Sequence, residues 1–184
     1  AALAAMAAEA RAALPHGFRR DQQLTAYPAP ELAGLAADHP AWRRHPYSMR
    51  VIAQDRLPAA GAILSLYGSD ALANFIADLL REPALFRCAD PLVSCAVTAL
   101  DPGDQHGWHF DSNDFVASIL LQGAESGGRF EFAPAIRSDE QPNYAAVERI
   151  FDGDRAPLRT TDVTAGTLVL FRGKYALHRV SPVG

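Results

Sequence analysis

The N-terminal half of the chain has the apolar spacing of helices separated by loops. A first helix is predicted to end at Pro15, and a shorter one is predicted within residues 58–67. The clearest helix is predicted between Ser69, a favourable N-cap residue, and Pro83, because apolar side chains recur there three and four positions apart. Residues 21–45 follow neither a helical nor a strand period and are predicted to form an extended loop.

After Pro91 the pattern changes to short β-prone segments separated by turns that contain Gly and Pro. Strands are predicted within residues 92–100, 107–111, 115–121, 129–132, 167–171 and 175–180, and a short helix from Asn143 to Phe151. Many short strands preceded by helices favour an α+β fold in which a β-sandwich or jelly roll is backed by N-terminal helices. We therefore expect a single domain, with residues 1–90 as helical and loop support and residues 91–184 as the β-core.

Length and composition are those of one globular domain. The 184 residues are 49% hydrophobic and 21% charged, with a formal net charge of −4. A mildly acidic chain without a basic cluster does not favour nucleic-acid binding, and no apolar stretch approaches the roughly 20 residues of a membrane helix. Cys88 and Cys95 are too few for a disulfide framework, and the Ala-rich start lacks the basic region of a secretory signal. These features predict a cytoplasmic protein without nucleic-acid or membrane partners, and they leave its oligomeric state open.

Candidate metal ligands occur at His109 and Asp111 and again at His178. Residues two apart on a strand face the same side, so the His109 imidazole and the Asp111 carboxylate would converge if this segment is extended. A second imidazole on a neighbouring strand would complete one triangular face of a metal. Two His and one carboxylate, with the opposite positions open, are the ligands of non-haem Fe(II) oxygenases. A His-x-Asp motif alone is common by chance, and the downstream strand that carries His178 gives it weight.

Four sequence segments around these residues resemble a known family. The segments are HGWHFDSNDFVASILLQ, GGRFEFAPAIR, GTLVLFRG and LHRVSPV. They are similar to 2-oxoglutarate/Fe(II)-dependent oxygenases, and within them to bacterial hydroxylases and radical halogenases of free amino acids. The resemblance implies a double-stranded β-helix, which is a cupin-like jelly roll. It also implies that His109, Asp111 and His178 bind Fe(II), with 2-oxoglutarate and O2 as cosubstrates.

The residue at position 111 distinguishes the two reactions that the enzymes of this group catalyse, hydroxylation and halogenation. Radical halogenases of this type have Gly or Ala at the carboxylate position, where chloride then binds the iron. Asp111 fills that coordination position, which favours hydroxylation of an unactivated carbon with release of succinate and CO2. The implied function is a 2-oxoglutarate-dependent hydroxylase of a free amino acid or similar small molecule. The alternatives are a radical halogenase, which Asp111 disfavours, and a metal-binding jelly roll without catalytic activity.

One residue that the resemblance implies is absent from the sequence. A basic residue normally follows the distal His and binds the far carboxylate of 2-oxoglutarate, whereas this chain stops at Gly184. The expectation is a truncated chain, with the last strand and the Arg or Lys for 2-oxoglutarate beyond Gly184. The Ala-rich start is expected to be a cut element as well.

Other residues near the predicted ligands have two interpretations each. His106, Ser112 and Asn113 are candidates to contact substrate, although residues beside a turn are also commonly exposed to solvent. Trp108 alternates with His109 and is predicted to lie in the core. Glu131 is predicted to be a solvated strand residue, with binding of a substrate amine as the less favoured alternative.

Overall fold

The chain consists of short helices and strands, and the computed structural model describes residues 1–161 and 163–184. The α-helices are α1 (Ala2–Ala13), α2 (Ala29–Leu32), α3 (Ala62–Tyr67), α4 (Asp70–Leu80) and α5 (Tyr144–Phe151). Single 3-10 turns cover Leu14–His16, Pro40–Trp42 and Gln54–Arg56. The strands are β1 (Phe18–Thr25), β2 (Arg44–Ala53), β3 (Ala96–Ala99), β4 (Gln105–His109), β5 (Val116–Ile119), β6 (Phe130–Ala133), β7 (Arg159–Thr161), β8 (Leu168–Phe171) and β9 (Leu177–Val180).

The chain divides into two compact units. One contains Ala1–Arg20 and Arg50–Ala99, and the other contains Asp21–Met49 and Leu100–Gly184. Strands β1 and β2 each contribute residues to both units. No helix in the described part of the chain is long and apolar enough to cross a membrane.

The predicted helices of the first unit are confirmed. Helix α1 ends before Pro15, and α4 begins after Ser69, whose hydroxyl oxygen accepts a hydrogen bond from the Leu72 amide at 3.4 Å. The apolar stripe of α4 is wider than the surface that it packs against. Ile76 is buried, whereas Phe75 is 52% exposed and therefore does not belong to the core.

Two strands lie where helices and loops were expected. The predicted loop over residues 21–45 is wrong at both ends, because β1 runs to Thr25 and β2 begins at Arg44. In the first unit β2 pairs antiparallel with β3, with Arg50 opposite Ala99. The residues of β1 are mostly exposed and polar, so their sequence has no alternation of apolar and polar positions to reveal a strand.

The second unit contains the predicted succession of short strands, and its pairings are antiparallel. The strand order is β2-β4-β9-β6-β7, and β5 pairs with β8 in a separate sheet. His178 on β9 lies opposite His109 on one side and Phe132 on the other. Strand β7 was not predicted, because its three residues are all exposed. The chain is thus mixed α/β with a mostly antiparallel sheet, with which a jelly roll is compatible.

The two faces of this sheet have different roles. Trp108, as predicted, lies in the core, where it belongs to one buried cluster with Leu177 and with Val147 of α5. The alternate residues His109 and His178 therefore face the other side of the sheet. Burial of the first face fixes the sheet against α5 and leaves the second face for the candidate site.

Candidate metal centre

Two adjacent strands bring the predicted histidines together. His109 is the last residue of β4 and lies directly opposite His178 on β9. The centroids of the two rings are 4.0 Å apart. Both side chains are largely buried, with 17% and 4% of their surface exposed. The pairing of β4 with β9 therefore brings the two imidazoles into contact.

Asp111 joins the two histidines from outside the strand. It follows the end of β4, so the same-face rule for a strand does not by itself explain its position. Instead the Asp111 amide donates a hydrogen bond to the Gly173 carbonyl at 3.1 Å. One carboxylate oxygen, Oδ1, lies 3.6 Å from His109 Nε2, and the other, Oδ2, lies 3.4 Å from His178 Nε2. One ligand atom from each of the three residues lies within 4.8 Å of the others.

The hydrogen bonds of the two imidazoles suit metal binding. His109 Nδ1 lies 2.8 Å from the Gly107 carbonyl, and His178 Nδ1 lies 2.8 Å from the Ala176 carbonyl. A carbonyl oxygen only accepts, so each Nδ1 carries the proton and each Nε2 has a free lone pair directed toward the site. Within the described residues, the buried Oδ2 atom of Asp111 accepts no hydrogen bond. These donor atoms therefore fit a divalent cation with a preference for nitrogen and oxygen.

Burial changes the pKa values of all three residues. Burial first, and then the neighbouring imidazoles of His106 and His178, lowers the pKa of His109 well below its usual range. Burial also lowers the pKa of His178, against the opposing effect of the Asp111 charge. The pKa of Asp111 is raised by burial. Neutral imidazoles are the form that binds a metal, whereas a buried carboxylate needs a cation to compensate its charge.

A β-bulge places His106 against the candidate ligands. The pairing of β4 with β9 shifts register between His106 and His109. Residues three apart in a regular strand face opposite sides, and the bulge brings both rings to the same side. They stack with centroids 3.7 Å apart and an interplanar angle of 13°. His106 thus lies beside the candidate ligand His109, whereas Ser112 and Asn113 are exposed after Asp111.

Two phenylalanine rings contact the His178 ring. The Phe171 ring lies 4.9 Å from the His178 ring, and the Phe130 ring lies 5.8 Å from it. Phe130 and Phe171 also contact each other at 5.1 Å. This apolar wall limits access of water to one side of the histidine.

The prediction for Glu131 is wrong. Its side chain is only 8% exposed and accepts hydrogen bonds from Arg155 and Arg179, the latter at 2.5 Å. Arg179 in turn lies over the Trp108 ring, with 4.5 Å between its guanidinium carbon and the ring centroid. Burial raises the pKa of Glu131, but the two hydrogen bonds outweigh it and lower the pKa overall. Consecutive residues of a strand face opposite sides of the sheet, so Arg179 lies on the side away from His178 and the candidate site. This alternation could have been read from the sequence.

Comparison with models of known protein families assigns the chain to one family. The model of the family described as halogenase D matches residues 39–184, a range that includes all three candidate ligands. The chain belongs to the halogenase D family. No curated protein matches the chain. Membership of the halogenase D family indicates an enzyme, and the His109, Asp111 and His178 cluster is its candidate metal site.

Proposed function

We propose that this chain is a 2-oxoglutarate-dependent Fe(II) oxygenase that hydroxylates a free amino acid or a similar small molecule. The observation that carries the proposal is the convergence of His109, Asp111 and His178. Two imidazoles and one carboxylate suit Fe(II) and leave coordination positions for a cosubstrate and O2. We further propose that the antiparallel sheets belong to a jelly roll.

The choice of hydroxylation over halogenation rests on Asp111. Radical halogenases that resemble this chain have Gly or Ala at the equivalent position, which leaves room for chloride. Here a carboxylate lies within 3.6 Å of one imidazole nitrogen and within 3.4 Å of the other. A third protein ligand in that place favours return of hydroxyl, rather than transfer of chlorine, to the substrate.

The residues of the chain would hold and shield the metal. His109 and His178 would bind it through Nε2, while their Nδ1–H groups remain hydrogen-bonded to the backbone. When bound, Fe(II) with 2-oxoglutarate and O2 supplies an oxidant that can attack an unactivated carbon. Phe130 and Phe171 beside His178 would limit the access of water from one side, which would protect such chemistry from side reactions.

The test is an amino-acid panel with the full chain, Fe(II), 2-oxoglutarate and ascorbate. We expect at least one amino acid to stimulate succinate release and to gain one oxygen atom by mass spectrometry. Asp111→Ala should lose this coupled activity, whereas the control His16→Ala, at an exposed position, should retain it. An Asp111→Ala variant with the normal rate would exclude Asp111 as a ligand. No succinate with any amino acid would instead favour a metal-binding module without catalytic activity.

Membership of the halogenase D family favours radical halogenation as a second candidate function. The same assay distinguishes the two reactions when chloride is present in excess. A hydroxylated product supports our proposal, and a chlorinated major product would replace it with the halogenase.

A further inference from the structure

Gly173 is packed directly against the carboxylate of Asp111. It is buried in the turn between β8 and β9, and its carbonyl accepts the hydrogen bond from the Asp111 amide. A Cβ atom built on Gly173 would overlap Asp111 Oδ2, and it would lie 2.6 Å from Cγ and 3.0 Å from Cβ of the same residue. The three heavy atoms nearest to that Cβ thus all belong to Asp111.

The backbone of this turn does not itself require glycine. Gly173 does not have the positive φ that favours glycine over other residues, in contrast to Gly166, where φ is +94°. An alanine at position 173 would therefore be compatible with the backbone conformation. The nearest atoms that its side chain would meet belong to the candidate metal ligand.

Hydrogen bonds also hold the turn in place. Arg137, which is buried, donates from Nε to the Lys174 carbonyl at 2.6 Å. Within the turn, the amides of Tyr175 and Ala176 both donate to the Arg172 carbonyl at 3.1 Å. Because these bonds fix the turn, a side chain at position 173 would displace the Asp111 carboxylate rather than the backbone.

We propose that Gly173 is a positioning residue for Asp111: the absence of a side chain at 173 is what allows the carboxylate to stand between His109 and His178. The part of this inference that concerns metal affinity rests on the proposed function. The steric part does not, because it concerns two residues of the chain in the absence of any metal.

The experiment is a double-mutant cycle with wild type, Gly173→Ala, Asp111→Gly and the double variant. Asp111→Gly is preferred to Asp111→Ala because the Asp111 Cβ is itself among the close neighbours. The control is Gly123→Ala, since Gly123 also lacks a positive φ and a Cβ there would meet no atom of residues 1–161 and 163–184 within 4 Å. Each full-length variant is unfolded with urea in the metal-free form and is titrated with Co(II), monitored by its visible absorption.

We expect Gly173→Ala to weaken Co(II) binding by about 10- to 100-fold, the range typical of groups that orient a metal ligand. Its urea midpoint should fall, whereas Gly123→Ala should match the wild type. In the Asp111→Gly background, Gly173→Ala should change neither the midpoint nor the Co(II) affinity, because no carboxylate remains to be displaced.

Equal losses from Gly173→Ala in both backgrounds would overturn the inference, and so would a Gly173→Ala variant with wild-type stability and affinity. If Gly173→Ala does not fold, recovery of folding in the double variant supports the inference and failure to recover contradicts it. If the wild type does not bind Co(II), the proposed function fails, and the metal-free urea cycle still decides the positioning role.

Discussion

His109 and His178 lie directly opposite each other in the antiparallel pairing of β4 and β9, with ring centroids 4.0 Å apart. Residues distant in sequence thus form a site because of strand register. A register slip of one residue would turn one imidazole to the opposite face of the sheet. Trp108 and Leu177 occupy that opposite face in the core, and their burial prevents such a slip.

We predict that His178→Ala abolishes high-affinity metal binding. Removal of a hydrogen-bond partner of a ligand costs roughly 10- to 100-fold in affinity, so loss of a ligand itself should exceed about 100-fold. Titration with Co(II) measures the effect, and His16→Ala at an exposed position is the control. Wild-type affinity in His178→Ala would show that the metal, if any, binds elsewhere.

The elements with local signals could be predicted from the sequence. Pro15 ends α1, and the Ser69 hydroxyl caps α4, because both effects act within a few residues. The spacing of His109 and Asp111 correctly suggested their convergence. The reason was incomplete, since a hydrogen bond to Gly173 holds Asp111 beyond the strand end.

The elements that depend on distant partners could not be predicted. The exposed residues of β1 have no alternation of apolar and polar positions, so only their pairing makes them a strand. The burial of Glu131 depends on Arg155, which comes from another segment of the chain. The bulge that stacks His106 on His109 is likewise a property of the pairing with β9.

The pairing of β4 with β2 leads to a prediction for Gly107. A Cβ atom on this buried residue would lie 2.5 Å from the Pro46 carbonyl oxygen and 2.7 Å from the His45 Cβ. Gly107→Ala should therefore lower the free energy of unfolding by about 1–3 kcal/mol, as overpacking typically does. Urea unfolding measures this change, with Gly123→Ala as the control. Equal stability of the two variants would mean that the strands separate easily at this point.

His45 should make the stability of the protein dependent on pH. Burial, followed by the charges of Arg43 and Arg179, lowers the pKa of His45 to about 4. Its buried Nε2 accepts no hydrogen bond within the described residues, and the ring packs on Phe151 with centroids 4.4 Å apart. The unfolded state therefore binds a proton at a higher pH than the folded state does. The stability that depends on an uncharged His45 is therefore complete above about pH 6.5 and is lost as the pH falls toward 4.

The size of this effect can be measured by comparison with His45→Gln. The lowered pKa of His45 corresponds to no more than about 3 kcal/mol of the free energy of unfolding, because the ring is partly exposed and solvent weakens the effect. We expect wild type to lose more stability than His45→Gln between pH 7 and pH 4.5 in urea unfolding. His16→Gln should behave like the wild type. The prediction is wrong if His45→Gln and wild type lose the same amount, since the other titrating groups are common to both.

Glu131, Arg155 and Arg179 form one cluster, and we expect the three residues to contribute unequally to the free energy of unfolding. Glu131→Gln leaves two guanidinium groups without their carboxylate, and a buried ion pair that loses one partner typically costs 3–5 kcal/mol. Because the Arg155 side chain is 57% exposed and can be hydrated, we expect a smaller loss of about 2–3 kcal/mol. Arg155→Ala should cost less than about 1 kcal/mol.

Arg179→Ala should lie between these two variants in its effect. The Arg179 side chain is 25% exposed. Its replacement by alanine removes both the hydrogen bond to Glu131 and the contact with the Trp108 ring. Urea unfolding of the three single variants at pH 7 gives the order. The cluster should also weaken in acid, because the lowered pKa of Glu131 means that its contribution is present above its unfolded pKa and is lost as the pH falls through the folded value. A larger loss from Arg155→Ala than from Arg179→Ala would show that the exposed guanidinium, and not the one stacked on Trp108, is the main partner of the carboxylate.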